Sequence, residues 1–338
     1  MRRKLPTFVL AVLAAFATGL MTASVAAATN GGLTPVQPES PNARHTLTAY
    51  WVIVGFTGAI FFLVEGLLVV FIWKYRSRGR ARTVEGPQVH GHSRLEVIWT
   101  VIPVLILAAI ATVVFILLPT ISDLPKISDA PASPNPIHIT VEGHQFYWQF
   151  NYPNGARSIN TLYVPVGAVV DLEVVASDND VIHSWWIPAL GGKIQAIPGH
   201  PNHTWFMAEK AGSYPGQCAE LCGVYHAEML ASVVAESQAQ YDAYIGTTAA
   251  ETIGQQEFVG VCATCHGNLG EGGYGPNIAS NPTIIQPAGL ETVIRQGVNG
   301  SAGAMPPVAD TWNGAQVKAL EAYLKQHIYK PAPAGGTP

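Results

Sequence analysis

The chain has 338 residues, 49% of them hydrophobic and only 12% charged, with a formal net charge of −4 and four cysteines. That length accommodates two or three domains, and the apolar excess points to membrane segments joined to soluble parts. So mild a charge argues against nucleic acid as a partner, and no phosphate-binding glycine loop or Ser-His-Asp arrangement stands out.

At the N-terminus, Arg2-Arg3-Lys4 precedes the apolar run Phe8 to Leu20, and Ala26-Ala27-Ala28 offers a small-residue cleavage site. Residues 1–28 therefore read as a signal peptide, with an uncleaved first membrane helix as the alternative. No cysteine follows the run, so a lipoprotein anchor is excluded. Two further stretches, 46–73 and 97–121, each exceed the ~20 apolar residues that cross a bilayer. Between them lie Lys74, Arg76, Arg78, Arg80, Arg82 and Arg94, opposed by Glu85 and Glu96. This positive excess predicts a cytoplasmic loop, which places everything after Ile121 on the other side of the membrane. Glu65, inside the first span, is expensive to bury and suggests a polar contact with a partner. Residues 29–130 thus form a membrane hairpin and linker, the linker being the Pro-, Ser- and Asp-rich stretch 122–136.

Short alternating segments follow: Ile137–Val141, Phe146–Phe150, Leu162–Val164, Val169–Val175, Thr204–Met207 and Leu230–Ala235. Many short strands divided by Gly, Pro and Asn turns predict a Greek-key sandwich or barrel over 131–240. One of its loops is dense in metal-binding side chains: Cys218-Ala-Glu220-Leu-Cys222-Gly-Val-Tyr-His226-Ala-Glu-Met229. A second imidazole stands upstream in Asp180-Val-Ile-His183. Soft sulfur with imidazole selects copper among common metals, and two cysteines four apart can place both thiolates between a pair of ions. The thiols alone are also compatible with a disulfide in an exported domain or a zinc site.

From about residue 240 the pattern turns helical, and 241–338 reads as an all-α domain. A helix over 252–261 leads into Cys262-Ala-Thr-Cys265-His266, the C-x-x-C-H signature of covalent haem attachment. Two thioethers would hold the haem, with His266 as the proximal iron ligand; a redox or zinc C-x-x-C is the alternative. Gly297-x-x-Gly300-Ser-Ala-Gly303-Ala-Met305-Pro-Pro supplies the one thioether of this domain, and His327 is the competing sixth ligand. Asn313, with Gln316 three residues on, predicts a capping box. Val317, Leu320, Leu324 and Ile328 then form a helical apolar stripe.

Taken together, the two spans, the copper-type loop and the C-x-x-C-H domain resemble subunit II of the haem-copper cytochrome c oxidases, fused to a class I cytochrome c. The resemblance implies a cupredoxin β domain holding a binuclear copper centre (CuA). In it Cys218 and Cys222 bridge both ions, His183 and His226 bind one each, and Met229 and the Glu220 carbonyl are weak axial ligands. It also implies that the Glu220 side chain holds a magnesium or manganese ion shared with subunit I. Glu96 then matches the entrance of a proton channel, against the plain reading of an interfacial charge. The implied role is electron entry into a proton-pumping terminal oxidase of a bacterial inner membrane, with both centres on the periplasmic side. Electrons would pass from a cytochrome c or a cytochrome bc1 complex to haem c, then CuA, then subunit I, in a complex with subunits I and III. Oxygen reduction would occur in the partner subunit. A nitric oxide reductase subunit and a membrane-anchored carrier are the competing readings. One departure stands out: Gly143-His-Gln-Phe146-Tyr-Trp148 carries Phe146 where the family usually has Trp, the entry point for free cytochrome c. The fused haem is therefore the expected entrance.

Overall fold

A computed structural model describes residues 35–76, 88, 91–125, 135–300 and 303–331. The expected signal peptide, most of the basic loop between the spans, and much of the linker and C-terminal tail lie outside these residues.

Residues 44–123 form a unit of their own. Its helices α1 (Pro41–Tyr75) and α2 (Ser93–Ser122) extend the expected spans at both ends. At 1.5 Å per residue each is longer than the ~30 Å hydrocarbon core of a bilayer. Large apolar side chains such as Phe62, Leu63, Phe115 and Ile116 are exposed on them, as expected of helices that meet lipid or a partner. Thr57, Thr100 and Thr112 each donate their hydroxyl to the carbonyl four residues back, so these three hydroxyls are satisfied within their own helix.

In the other unit, β1 (Ile137–His144), β2 (Tyr147–Asn151), β3 (Arg157–Ile159), β5 (Val170–Ala176) and β8 (Asn202–Phe206) form a five-stranded sheet in the order β3-β2-β1-β5-β8. A second sheet orders β4 (Thr161–Pro165), β10 (Leu230–Glu236) and β9 (Gly212–Gln217) as β4-β10-β9. The short strands β6 (His183–Trp185) and β7 (Ile194–Ala196) form a hairpin. The pairs β1–β5 and β4–β10 are parallel, so each is joined by a crossover and not by a hairpin. One core, including Val141, Trp148, Phe150, Leu162, Leu172, Trp185 and Val233, is shared by both sheets. The six expected strands are present within a residue or three. Four others (β3, β6, β7 and β9) were not anticipated, being short or rich in Gly and Pro.

The helical part runs through α3 (Gln238–Ala243), α4 (Ala249–Glu257), α5 (Ala263–His266), α6 (Pro287–Gln296) and α7 (Gly314–Tyr323). The expected helix over 252–261 is α-helical to Glu257 and a π-turn over Phe258–Cys262. Asn313 caps α7 as expected: its side chain accepts from Ala315 and Gln316, and Gln316 reaches back to the Asn313 N–H. Gly254 permits α4 to cross α7. A Cβ there would lie 2.2 Å from the Ala319 carbonyl oxygen.

Strand β2 joins the two parts. Successive side chains point to opposite faces, so Trp148 and Phe150 enter the β core while Tyr147 enters the helical core. Tyr147 donates its hydroxyl to the Val308 carbonyl at 2.6 Å and accepts from the Trp312 indole at 3.0 Å. Gln149, buried for the same reason, accepts from Gln316 at 3.0 Å. Asn160, in the left-handed conformation, donates to the Gly260 carbonyl, and Ile159 N–H donates to Gln256.

Candidate metal and haem centres

His183 lies on β6, Cys218 directly follows β9, and Cys222, His226 and Met229 lie in the loop before β10. His183, 35 residues upstream of Cys218, converges on the four side chains of this loop. The Cys218 and Cys222 sulfurs are unbonded and 3.9 Å apart. His183 Nδ1 is 4.0 Å from Cys218 Sγ, His226 Nδ1 is 3.5 Å from Cys222 Sγ, and Met229 Sδ is 3.7 Å from Cys222 Sγ. The Glu220 carbonyl stands 3.3 Å from Cys218 Sγ. Cys218, Cys222, Met229 and His183 are buried. The Glu220 carboxylate, half-buried, accepts from Gln195 at 3.4 Å.

The surrounding residues fix this cluster. Asp180 accepts His183 Nε2–H at 3.3 Å, which directs Nδ1 at the sulfurs. Burial alone would lower the His183 pKa, but hydrogen bonds to Asp180 and Cys218 outweigh it and raise it. Burial likewise works against the Asp180 carboxylate, yet His183 and the Val181 and Gln145 N–H groups hold it below its ordinary value. The Cys218 thiol is lowered, first by the hydrogen bond from Cys222, and Cys222 is correspondingly raised. One thiolate thus forms readily even without a cation, and a cation would favour the second. Gln145, between β1 and β2, donates its side-chain amide to the Cys222 carbonyl at 2.5 Å. Gly143 and Gly223 provide clearance: a Cβ would meet the His183 ring at 3.0 Å or the Phe146 ring at 2.9 Å. Two thiolates, two imidazoles, a thioether and a carbonyl within one buried cluster suit copper in preference to hard cations.

In the helical part, Cys262 ends the π-turn and Cys265 and His266 form the end of α5. His266 Nδ1 donates to the Pro276 carbonyl at 2.8 Å, which leaves the Nε2 lone pair available to a ligand. The ring is clasped by backbone, since a Cβ on Gly275 would lie 2.8 Å from His266 Cε1. Met305, at the end of a short strand (Gly303–Met305), packs against the helical core. His327 is exposed, lies over the Tyr323 ring, and lines a groove with Gly254 and Gln255. The Tyr225 hydroxyl is buried, makes no hydrogen bond of ordinary geometry, and faces the Cys265 sulfur. These features fit a covalently attached haem: two thiols, an oriented imidazole and a thioether.

Glu96 lies in the membrane unit, at the first turn of α2. Its carboxylate accepts from His92 N–H at 3.1 Å while His92 Nδ1 accepts from Leu95 N–H. It therefore acts at least as a reciprocal helix cap.

Sequence reasoning missed Asp180, Gln145, Tyr225 and Gly275 as supporting residues. Asp180 stands three positions before His183, Gln145 one before Phe146 and Tyr225 one before His226, so all three adjoin the motif residues in sequence. Gly275 and Tyr225 matter through contacts that spacing does not reveal.

A two-helix anchor, a β domain with a sulfur-and-imidazole cluster, and a C-x-x-C-H helical domain define a membrane-anchored electron-transfer subunit. Comparison with known proteins bears on the particular family. Profiles described as cytochrome c oxidase subunit II transmembrane domain and periplasmic domain match residues 30–117 and 156–237, and one for the cbb3-type cytochrome c oxidase subunit III matches 249–324. Cytochrome c oxidase subunit 2 of Alkalihalophilus pseudofirmus is 33% identical over 317 residues, 87% of this chain and 90% of that one. The Synechocystis protein of the same name is 30% identical over 65% of this chain and 77% of its own. The periplasmic domain of subunit II of cytochrome oxidase (CoxB) of Bradyrhizobium japonicum is 34% identical, with TM-score 0.33, over 34% of this chain and 94% of that domain. The chain belongs to the cytochrome c oxidase subunit II family and carries a C-terminal cytochrome c domain.

Proposed function

We propose that this subunit receives electrons at haem c and passes them through CuA to subunit I of a proton-pumping oxidase. The observation that carries this reading is the packing of the Cys218–Met229 loop on the helical part, with the Tyr225 ring edge-on to Tyr274 at 5.1 Å. Cys218, Cys222, His183, His226 and Met229, with the Glu220 carbonyl, would hold the copper pair. Cys262, Cys265, His266 and Met305 would hold the haem. When bound, these groups supply one-electron chemistry with little rearrangement. The chain orients the ligands through Asp180 and the Pro276 carbonyl, and packs the cluster against Trp148 to exclude water.

The domain divisions 1–28, 29–130, 131–240 and 241–338 follow, with both centres periplasmic in a bacterial inner membrane. Glu220 would hold magnesium or manganese at the subunit I interface, and Glu96 would open a proton channel. A cytochrome c or a cytochrome bc1 complex would be the donor, and subunits I and III the companions. Phe146 packs edge-on to Tyr225, which in turn packs on Tyr274 of the helical part. This arrangement favours the fused haem as the normal entrance over direct docking of free cytochrome c at CuA. In the assembled oxidase, His266→Ala, which removes the proximal ligand, should slow reduction of the copper pair by free cytochrome c severely. Fast copper reduction in that variant would refute this route.

A further inference from the structure

Tyr225 stands between two candidate copper ligands, Cys222 and His226, yet its side chain leaves the copper cluster. Its ring packs at 88° on Tyr274, with centroids 5.1 Å apart, and at 64° on Phe146, 5.5 Å away. Its hydroxyl is buried, without a hydrogen bond of ordinary geometry, and its side-chain neighbour is Cys265. A Phe would fill the same ring space, so the hydroxyl is what the position adds beside the Cys265 sulfur. The backbone leading to it is also held in place, by Gln145 on the Cys222 carbonyl and by Gly223 with φ +136°. The interface on β2 fixes the helical part against this loop from the other side, through Tyr147, Gln149 and Asn160.

We propose that Tyr225 is the positioning residue that couples the two centres, its hydroxyl spanning the gap between the copper-ligand loop and the thioether sulfur of Cys265. The proposal rests on the reading of this chain as a haem-to-copper carrier. One electron is lost by the reduced haem and gained by the oxidised copper pair, while Tyr225 is neither oxidised nor deprotonated. The path from sulfur to copper is then one non-bonded step to the hydroxyl, followed by the covalent chain of residues 225 and 226 to the His226 imidazole. Phe146 and Tyr274 hold the ring in that pose.

The test compares the full-length wild-type oxidase with Tyr225→Phe and Tyr225→Leu. Three quantities are read: the haem-to-copper transfer rate after flash reduction, the midpoint potentials with the near-infrared and electron-spin spectra of the copper pair, and the iron–copper distance from spin relaxation. The rate should fall in Tyr225→Leu, which removes both the ring and the hydroxyl. Tyr225→Phe should fall in between, with spectra, potentials and distance unchanged in both. An unchanged rate in Tyr225→Leu, with wild-type transfer intact, overturns this coupling role alone. A slower rate accompanied by altered copper spectra or a longer distance overturns it too, since Tyr225 would then only shape the loop. Absence of haem-to-copper transfer in the wild type overturns the carrier reading itself, and the coupling role with it.

Discussion

Glu257 offers a quantitative test of the helical part. It is fully buried at the end of α4, and neither carboxyl oxygen has a hydrogen bond of ordinary geometry. Burial pushes it up from 4.5 to about 9, with Gln316 and the Arg157 charge offsetting only part of that effect. The folded protein therefore keeps a proton that the unfolded chain releases above pH 4.5. Between pH 4.5 and about 9 the folded state binds more protons, so stability falls as pH rises and levels off above that range. From pH 4.5 to 7 the loss amounts to about 3 kcal/mol, at about 1.4 kcal/mol per pH unit. Glu257→Gln keeps the shape and abolishes the titration. Urea unfolding of the full-length chain, followed at the haem absorption band, should show the variant gaining on wild type by about 3 kcal/mol over that interval. Parallel stability curves from pH 5 to 8 would refute the assignment of a neutral buried acid.

Three further outcomes follow from the packing. Gly254→Ala drives a Cβ into the Ala319 carbonyl of α7 and should destabilise the helical part by about 1–3 kcal/mol, measured in the same unfolding experiment. Asp180→Ala removes the acceptor that orients His183 and should weaken copper binding by about 10–100-fold in competition with a chelator. Gly275→Ala presses on the His266 ring at 2.8 Å, so it should alter the haem axial-ligand spectrum while the copper signal stays intact.

Local motifs made both centres legible in the sequence. The Cys218–Met229 loop and Cys262–His266 carry most of their chemistry within a dozen residues, and α7 announces itself through Asn313 and Gln316. What stayed hidden depends on long-range packing. The run Tyr147-Trp148-Gln149-Phe150 reads as a strand, but it does not reveal that a second domain covers its outer face. That covering explains why Gln149 is buried and why Tyr147 belongs to the helical core. Strands β6 and β7 are only three residues long and exist through mutual pairing. The π-turn at Phe258 and helix α6 likewise follow from tertiary fit, and Tyr225 reads as an ordinary loop residue until the helical part is in place beside it.

The central claim is that one chain carries both a copper pair and a covalent haem. Metal analysis of the purified full-length protein, with near-infrared absorption and electron-spin spectra, tests it most directly. The account predicts a mixed-valence copper-pair signal together with one haem that stays attached under denaturing conditions. Haem without any copper pair after reduction and copper loading, with Cys218 and Cys222 recovered as a disulfide, would contradict it and leave a membrane-anchored cytochrome.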